Sequence, residues 1–365
     1  MCKKTSEEYK SKLHETVTRF PVTDVWNDSC AIEELQYAIE NGAVGATSNP
    51  IIVGEVLKKE MASWSDRIDQ LIANNPDKTE IDITWMLIEE MTTNAAKLLE
   101  PIFDAYGGKK GRLSIQTNPV FYRDAAAIKT QALHFGGLYP NVQVKIPATR
   151  AGIQAVEDVT AAGISINATV CFSVPQAVAV AEAVECGLIK AENDGIDIGS
   201  MAPVCTIMVG RLDDWLKVNM NKENIVVDPG ILEWAGVAVM KKAYSIYKER
   251  GYRTRLLAAA FRNHFHWSEF IGADMVLTIT NQWQKRFNAS DIEVESRIDN
   301  PVRPEIVDAL YQKFPEFRKA YDVDGMFPSE FDGFGSTVRT LRGFIKGYEE
   351  LVGVIRDRML PDPDK

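Results

Sequence analysis

The feature that most constrains the fold is an eightfold alternation of short apolar runs with helix-like segments. The apolar runs occupy residues 24–28, 43–49, 111–117, 142–147, 165–172, 201–209, 255–261 and 273–280. Strands that are apolar on both faces are typical of a parallel sheet covered by helices. The pattern therefore predicts an α/β protein, built either as a closed barrel of eight parallel strands or as an open doubly wound sheet.

The segments between the strands help to choose between these two architectures. One helix-like segment is alanine-rich over 121–135, one is capped by Ser173 and runs through Glu185, and one spans 232–250. No G-x-G-x-x-G follows the first strand, which counts against an open dinucleotide-binding sheet. Because eight strands are the number of the closed barrel, we expect a (β/α)8 TIM barrel.

Two stretches exceed what a minimal barrel needs. Helical patterns fill about 55–106, between the second and third strands, and the chain after about residue 304. No internal repeat, low-complexity tract or linker divides the chain. We therefore expect one domain over 1–365, with a helical insertion at 55–106 and a C-terminal helical extension at 304–365.

The charge balance limits the partners of the chain. Its 365 residues include 41 Lys and Arg against 51 Asp and Glu, a net charge of −10. This balance argues against binding to nucleic acid or to an anionic membrane, and no apolar run approaches the roughly 18 residues that span a bilayer. The chain lacks an apolar segment near Met1, and its five cysteines show no C-x-x-C spacing. We expect a cytoplasmic protein with reduced thiols, and a monomer and a homodimer both stay open.

Lys145 stands in the middle of the apolar run 142–147. Burial disfavours the ammonium form and lowers the pKa of a lysine from its ordinary value of about 10.4. A neutral amine of this kind can attack a carbonyl carbon and form a Schiff base. A lysine whose stem packs and whose head reaches solvent is the simpler interpretation of this segment alone.

Polar residues recur where the other predicted strands end. In reading order these strand-end residues are Asp28, Thr47, Asn49, Gln116, Lys145, Asn167, Thr169, Thr206 and Arg262. Each alone is typical of a hydrogen-bonded turn. Because the chemistry of such barrels lies at the C-terminal ends of the strands, the set as a whole predicts an active site around Lys145.

Several motifs resemble those of the transaldolase family, in the same order and over about 240 residues. They are Ala46-Thr-Ser-Asn-Pro50, Val144-Lys-Ile-Pro-Ala-Thr-Arg-Ala-Gly152, Gly163-Ile-Ser-Ile-Asn-Ala-Thr-Val-Cys-Phe-Ser173, Val209-Gly-Arg-Leu-Asp213 and Ala260-Phe-Arg-Asn263. The family places its Schiff-base lysine on the fourth strand. Here the fourth strand carries Lys145 and the sixth has no lysine, so the resemblance implies a transaldolase acting by Schiff-base chemistry on a TIM barrel.

The resemblance also implies a role for each site residue. Lys145 would attack the keto carbon of a ketose phosphate, Asp28 would act as the acid and base of C–C cleavage, and Thr169 would position a water together with Gln116. The resemblance further implies substrate contacts by Asn49, Thr47, Asn167, Ser173, Thr206, Arg211 and Arg262. Of these, Arg211 and Arg262 would bind the phosphate. Sugar phosphates of the pentose phosphate pathway are the implied ligands, without a metal or organic cofactor.

Several positions depart from the family pattern, among them Thr206, which replaces a serine, and Ile51, which replaces a small residue. Gln116 stands where sugar-phosphate transaldolases carry a glutamate, and Ala260 replaces a serine of the phosphate site. Relatives that cleave fructose 6-phosphate also carry the glutamine, but they add a tyrosine where this chain has Met208. Two alternatives therefore stay open: an aldolase that releases free dihydroxyacetone, and a weakly active sugar-phosphate binder.

Two further features near the phosphate site have simple interpretations. His264 and His266 form an H-x-H pair, which we expect to lie at the rim of the site or to pack, rather than to bind metal. Asp213 and Asp214 fall in the first turn of a predicted helix, where carboxylates interact favourably with the helix dipole.

Overall fold

The computed structural model describes residues 9–364 and contains the expected closed barrel. Eight parallel strands close in sequence order, β1 next to β2 and finally β8 next to β1. The strands are β1 Thr23–Asn27, β2 Ala43–Thr47, β3 Arg112–Gln116, β4 Val142–Pro147, β5 Ile166–Cys171, β6 Val204–Ile207, β7 Arg255–Ala258 and β8 Met275–Ile279. The TIM-barrel prediction is confirmed: seven predicted apolar runs contain their strand, and the first run overlaps β1, which begins one residue earlier, at Thr23.

Helices surround the barrel and extend it at both predicted places. They are α1 Lys12–Arg19, α2 Ile32–Glu40, α3 Pro50–Asn74, α4 Glu80–Ala105, α5 Ala125–Gly136, α6 Arg150–Ala161, α7 Val174–Asn193, α8 Val209–Lys222, α9 Pro229–Leu232, α10 Ala235–Arg250, α11 Phe265–Ser268, α12 Asn281–Asn288, α13 Pro304–Lys313, α14 Pro315–Tyr321 and α15 Gly335–Met359. Short 3-10 helices cover Pro119–Phe121 and Pro328–Gly333. None of the described helices is long and apolar enough to cross a membrane.

Three predicted helix boundaries are wrong for local reasons. The segment 121–135 begins as a 3-10 turn, and α5 starts only at Ala125, where the Asp124 side chain accepts the Ala127 N–H. α7 runs eight residues past Glu185, to Asn193. The segment 232–250 is divided, because α9 ends at Leu232 and α10 begins at Ala235.

The insertion and the C-terminal extension pack against each other. The Trp85 ring of α4 lies 5.7 Å from the Tyr348 ring of α15. Arg358 of α15 donates to Asp69 and to Ser65 of α3, both at 2.7 Å. α15 therefore joins the insertion to the barrel, and its first turns lie beside α8 and the end of β5.

The register of the barrel aligns the strand-end residues around Lys145. Lys145 on β4 lies opposite Gln116 on β3 and Asn167 on β5. Between Ala168 and Cys171 the register of β5 shifts, and Val170 there adopts a left-handed φ of 54°. This conformation is strained for a β-branched residue. The irregularity immediately follows Thr169, at the end of the barrel where a site is expected.

Candidate active site

A cavity of about 630 Å³ lies at the C-terminal end of the barrel. Its walls include Asp28, Asn49, Met208, Arg211, Ala260 and Arg262. Lys145 has only 3% of its surface exposed, and its charge interacts with those of Asp28 and Arg211. The fold thus brings one carboxyl group and two guanidinium groups to the wall of one cavity, and it buries Lys145 within electrostatic range of Asp28 and Arg211.

Burial controls the state of the Lys145 amine. It lowers the pKa of Lys145 from its ordinary value, and the Arg211 charge lowers it further, while the Asp28 carboxylate opposes the shift. Nζ makes no hydrogen bond to a residue that the structure describes. Lys145 is therefore biased toward the neutral, nucleophilic amine, and the amine is not held by a protein acceptor.

Asp28 follows β1 and is held by two bonds. Its N–H donates to the carbonyl of Ile279 at 3.0 Å, and Oδ1 accepts the Thr47 hydroxyl at 2.7 Å. Burial raises the pKa of Asp28, against the opposing effects of Lys145 and Thr47. Thr47 in turn lies 2.7 Å from the Thr278 hydroxyl of β8, so the acid is positioned by strands on both sides.

Asn167 belongs to a buried chain of hydrogen bonds inside the barrel. The Thr206 hydroxyl donates to Asn167 Oδ1 at 2.6 Å, and Asn167 Nδ2 donates to Ser114 Oγ at 3.0 Å. Ser114 donates to Gln143 Oε1, and Gln143 Nε2 donates to the carbonyl of Ala202. The chain fixes the Asn167 amide from both ends, so this side chain is preorganised beside Lys145.

Gln116 lies opposite Lys145 in the register and Thr169 lies opposite Pro147, and both side chains have few hydrogen bonds of their own. Gln116 Oε1 is buried and has no hydrogen-bond partner among the described residues. The Thr169 hydroxyl has only a thioether partner, Met208 Sδ, at 4.0 Å, and a thioether is a weak acceptor. Both residues are buried, and neither lines the cavity.

Asn49 and Ser173 both cap helices. Asn49 Oδ1 accepts the N–H groups of Ile51 and Ile52 at the start of α3, which leaves Nδ2 available in the cavity wall. Ser173 Oγ accepts the Gln176 N–H and donates to Gln176 Oε1 at the start of α7. Ser173 is fully buried and does not line the cavity, so its hydroxyl serves the helix in this structure.

The two arginines differ in how they are held. Arg211 lies on α8 with its guanidinium 5.5 Å from the centre of the Phe344 ring, and its buried Nε has no partner among the described residues. Arg262 is about 39% exposed and forms an ion pair with Asp214 at 2.8 Å. A ligand anion at Arg262 must compete with that carboxylate, whereas Arg211 has a free donor.

A buried histidine supports the Arg262 loop, and the sequence analysis did not identify this role. His266 Nε2 lies 2.9 Å from Asp213 Oδ2, and His266 Nδ1 accepts the backbone N–H of Arg262 at 3.1 Å. Asp213 Oδ1 accepts the Gly236 N–H at 2.8 Å. The H-x-H spacing drew attention to His266, but its partner lies 53 residues away and only the fold brings the two together.

The expectation that Asp213 and Asp214 serve the helix dipole is wrong. α8 begins at Val209, so both carboxylates lie beyond its first turn, and each makes a specific side-chain pair instead. Among residues 9–364, no group of three His, Cys, Asp or Glu side chains is arranged to hold a metal ion. His266 packs, as one of the two interpretations proposed, while His264 is exposed.

Comparison with known proteins finds one matching family. The family model described as "Transaldolase/Fructose-6-phosphate aldolase" matches residues 25–329. Transaldolase 1 of Streptomyces coelicolor is 32% identical over 230 residues, which are 60% of this chain and 58% of that protein. The transaldolases of Mycolicibacterium smegmatis and Acidothermus cellulolyticus are 32% and 30% identical over 62% of each chain. The chain thus spans less than two thirds of the length of these relatives.

Proposed function

The chain belongs to the transaldolase and fructose-6-phosphate aldolase family, and on this premise we propose that it transfers a dihydroxyacetone unit from a ketose phosphate to an aldose phosphate. The ketose phosphates are of the sedoheptulose 7-phosphate and fructose 6-phosphate type, as in the pentose phosphate pathway. One observation carries the proposal: Lys145 is buried, burial lowers its pKa, and its charge interacts with those of Asp28 and Arg211, which both line a polar cavity.

The first half of the reaction forms a Schiff base and breaks one C–C bond. Lys145 Nζ attacks the keto carbon, and loss of water from the adduct gives an iminium ion. Asp28 then takes the proton of the C4 hydroxyl, the C3–C4 bond breaks, and its electron pair passes into the iminium. An aldose phosphate leaves, and an enamine of three carbons stays on Lys145.

The second half reverses these steps on a new aldehyde. The enamine carbon attacks the carbonyl of the acceptor, and the proton held by Asp28 passes to the new alkoxide. Water then adds to the iminium and releases the ketose phosphate. We assign this water to Gln116 Oε1, which has no partner among the described residues, and to the Thr169 hydroxyl, whose partner is only a thioether. The iminium is the electron sink, so the route needs no metal or organic cofactor.

The arginines and amides supply binding. Arg211 and Arg262 line the cavity and offer paired donors that suit a phosphate. Asn49 Nδ2 and the preorganised Asn167 amide are assigned to substrate hydroxyls, with Thr206 and Thr47 holding Asn167 and Asp28. Ser173 contributes by fixing the start of α7. The same proposal includes a cytoplasmic location, which the acidic chain and its cysteine pattern favour.

The aldolase alternative rests on Gln116, which cannot take a proton from the water. Released dihydroxyacetone would then be the product even without an acceptor. We prefer transfer because the similar proteins are called transaldolases and because Met208, which carries no hydroxyl, lies beside Thr169. Product analysis with and without an aldose phosphate separates the two activities.

The decisive experiment is borohydride reduction in the presence of fructose 6-phosphate, followed by intact-mass analysis. We expect a three-carbon adduct on the wild type, none on Lys145→Ala, and an unchanged adduct on Lys59→Ala, which removes an exposed lysine of the same cavity wall. A six-carbon adduct on the wild type would mean that cleavage stalls after imine formation. Binding of the sugar without any adduct would overturn the proposal in favour of a sugar-phosphate binder.

A further inference from the structure

A second, smaller pocket opens beside Arg211. Its volume is about 270 Å³, and it lies between α8 and the start of α15. Its lining residues are Arg211, Asp214, Ser336, Arg339, Thr340 and Arg342. We call this smaller pocket the α15 pocket. Arg211 lines both the α15 pocket and the cavity described above.

The charges around the α15 pocket are unbalanced. Arg211, Arg339 and Arg342 carry three positive charges, while Asp214 is the one carboxylate in the lining and is already paired with Arg262. Neither Arg339 nor Arg342 makes a hydrogen bond or an ion pair with any residue among 9–364, although Arg339 lies 6.0 Å from the Trp215 ring. Arg211 interacts with the charges of Asp214 and Asp28, so the unpaired positive charge belongs to Arg339 and Arg342, which are both exposed. In a chain of net charge −10, these two arginines beside Arg211 form a local site of positive potential.

Two buried donors in the lining lack partners, and this separates the pocket from an ordinary solvated arginine face. Ser336 is 1% exposed, and its Oγ has no hydrogen-bond partner among the described residues. The Nε of Arg211 is in the same state. A buried polar group without a partner is costly and points to a missing ligand. Ser336 also lies in the first turn of the long helix α15, where backbone N–H groups favour an anion.

From this geometry we propose that the α15 pocket binds a phosphoryl group, in addition to any phosphate held in the cavity above Lys145. Guanidinium groups offer the paired donors that phosphate oxygens accept. The Ser336 hydroxyl supplies a further donor. Two sources of this group share the same chemistry: inorganic phosphate, and the second phosphoryl group of a bisphosphorylated sugar. The inference concerns binding alone and does not depend on the proposed transfer reaction.

The test is calorimetric titration with inorganic phosphate at low ionic strength. We compare the wild type with Arg339→Gln/Arg342→Gln and with Lys346→Gln/Arg356→Gln, a control that removes two exposed charges from the same helix outside the pocket. The wild type and the control should bind phosphate at the α15 pocket. The Arg339→Gln/Arg342→Gln variant should bind there about tenfold more weakly or not at all, because charge-assisted hydrogen bonds are lost. Ser336→Ala should weaken binding by a smaller factor.

Two results would overturn the inference: no phosphate binding by the wild type beyond one site in the cavity, or equal binding by the two double variants. Two kinetic experiments distinguish the two possible sources of the phosphoryl group. If the group belongs to a sugar, Arg339→Gln/Arg342→Gln should raise the KM of a ketose bisphosphate but not of a ketose monophosphate. If it is free phosphate, added phosphate should change the rate of the wild type but not that of this variant. In both cases the Arg339→Gln/Arg342→Gln variant should still give the borohydride adduct with fructose 6-phosphate. A failure of the α15 pocket proposal can therefore be told apart from a failure of the proposed function.

Discussion

At the scale of single residues, Lys145 and Asp28 are both shifted toward their neutral forms, from opposite directions. Burial lowers the pKa of Lys145 and raises the pKa of Asp28, while the attraction between them opposes both shifts. Removing either charge should therefore change the titration of the other. This coupling gives a test of both assignments that does not depend on overall turnover.

Asp28→Asn should separate imine formation from cleavage. Imine formation requires the neutral amine, so its rate rises with pH through the pKa of Lys145. Because the Asp28 charge raises that pKa, the variant should form the imine with a midpoint at lower pH than the wild type. Without the base, borohydride should trap six carbons rather than three. Rapid-quench mass analysis across pH measures both effects; an unchanged midpoint, or a three-carbon adduct, would contradict the assignment of Asp28.

Gln116→Glu should add the proton transfer that the amide cannot perform. Gln116 lies opposite Lys145 in the register, and a carboxylate there can take a proton from the water that releases the product. We expect kcat for transfer to rise about tenfold, less than the roughly 10²–10⁴ of general acid–base catalysis, because the new charge also favours the ammonium form of Lys145.

Steady-state assays above neutral pH measure this gain, with Gln116→Met as the control that removes all polarity at the position. If Gln116→Glu turns over no faster than the wild type while it retains its thermal unfolding temperature, water activation at residue 116 is not limiting. That result would indicate that another step of the catalytic cycle, such as product release, limits the rate.

At the scale of elements, the sequence predicts the features whose signal lies within one short segment, and it does not predict those that depend on contacts between distant segments. The eight strands are apolar on both faces, so the period of alternation located all of them, and Lys145 stood out because it interrupts such a face. Helix boundaries depend on caps and turns such as Asp124, which a periodic pattern does not resolve. The His266–Asp213 pair joins the segment after β7 to α8 and requires the closed barrel. The strained Val170 left no mark in the sequence.

Asp213→Asn tests how these two elements hold Arg262. The buried His266 Nδ1 accepts the Arg262 N–H, which fixes the proton on Nε2 facing Asp213. An asparagine that donates to Nε2 would force the proton to Nδ1, against the Arg262 N–H. We expect KM for a ketose phosphate to rise about tenfold, in line with the loss of one hydrogen bond to a charged group, with kcat changed less.

The control is the rate of imine formation with unphosphorylated dihydroxyacetone, which should be the same for Asp213→Asn and the wild type. A loss that is equal for phosphorylated and unphosphorylated ligands would indicate general loosening of the fold. It would then assign the His266–Asp213 pair to stability instead of phosphate placement.

At the scale of the whole molecule, α15 connects the helical insertion, the barrel and the cavity wall. Its Gly347 packs so closely on α3 that an added Cβ would lie 2.6 Å from Ile51 Cγ1. Ile51 lines the cavity above Lys145, and its N–H is bound by the Asn49 cap. A contact distant in sequence therefore sets the position of the first turn of α3. The sequence indicated a helical extension but not this packing, because which helix face meets which is decided by tertiary contacts.

Gly347→Ala should therefore harm the site, whereas Gly353→Ala on the same helix should not. An added Cβ at Gly353 meets no atom within 4 Å, so the higher helix propensity of alanine should raise the free energy of unfolding by about 0.5–1 kcal/mol. At Gly347 the same gain is opposed by the clash, which must displace Ile51 and the Asn49 cap. We expect no gain in stability and a several-fold higher KM. Denaturant unfolding and steady-state kinetics on both variants measure these effects. Equal stability and equal KM of the two variants would mean that α3 and α15 can shift without changing the cavity. In that case α15 would support the barrel without shaping its active site.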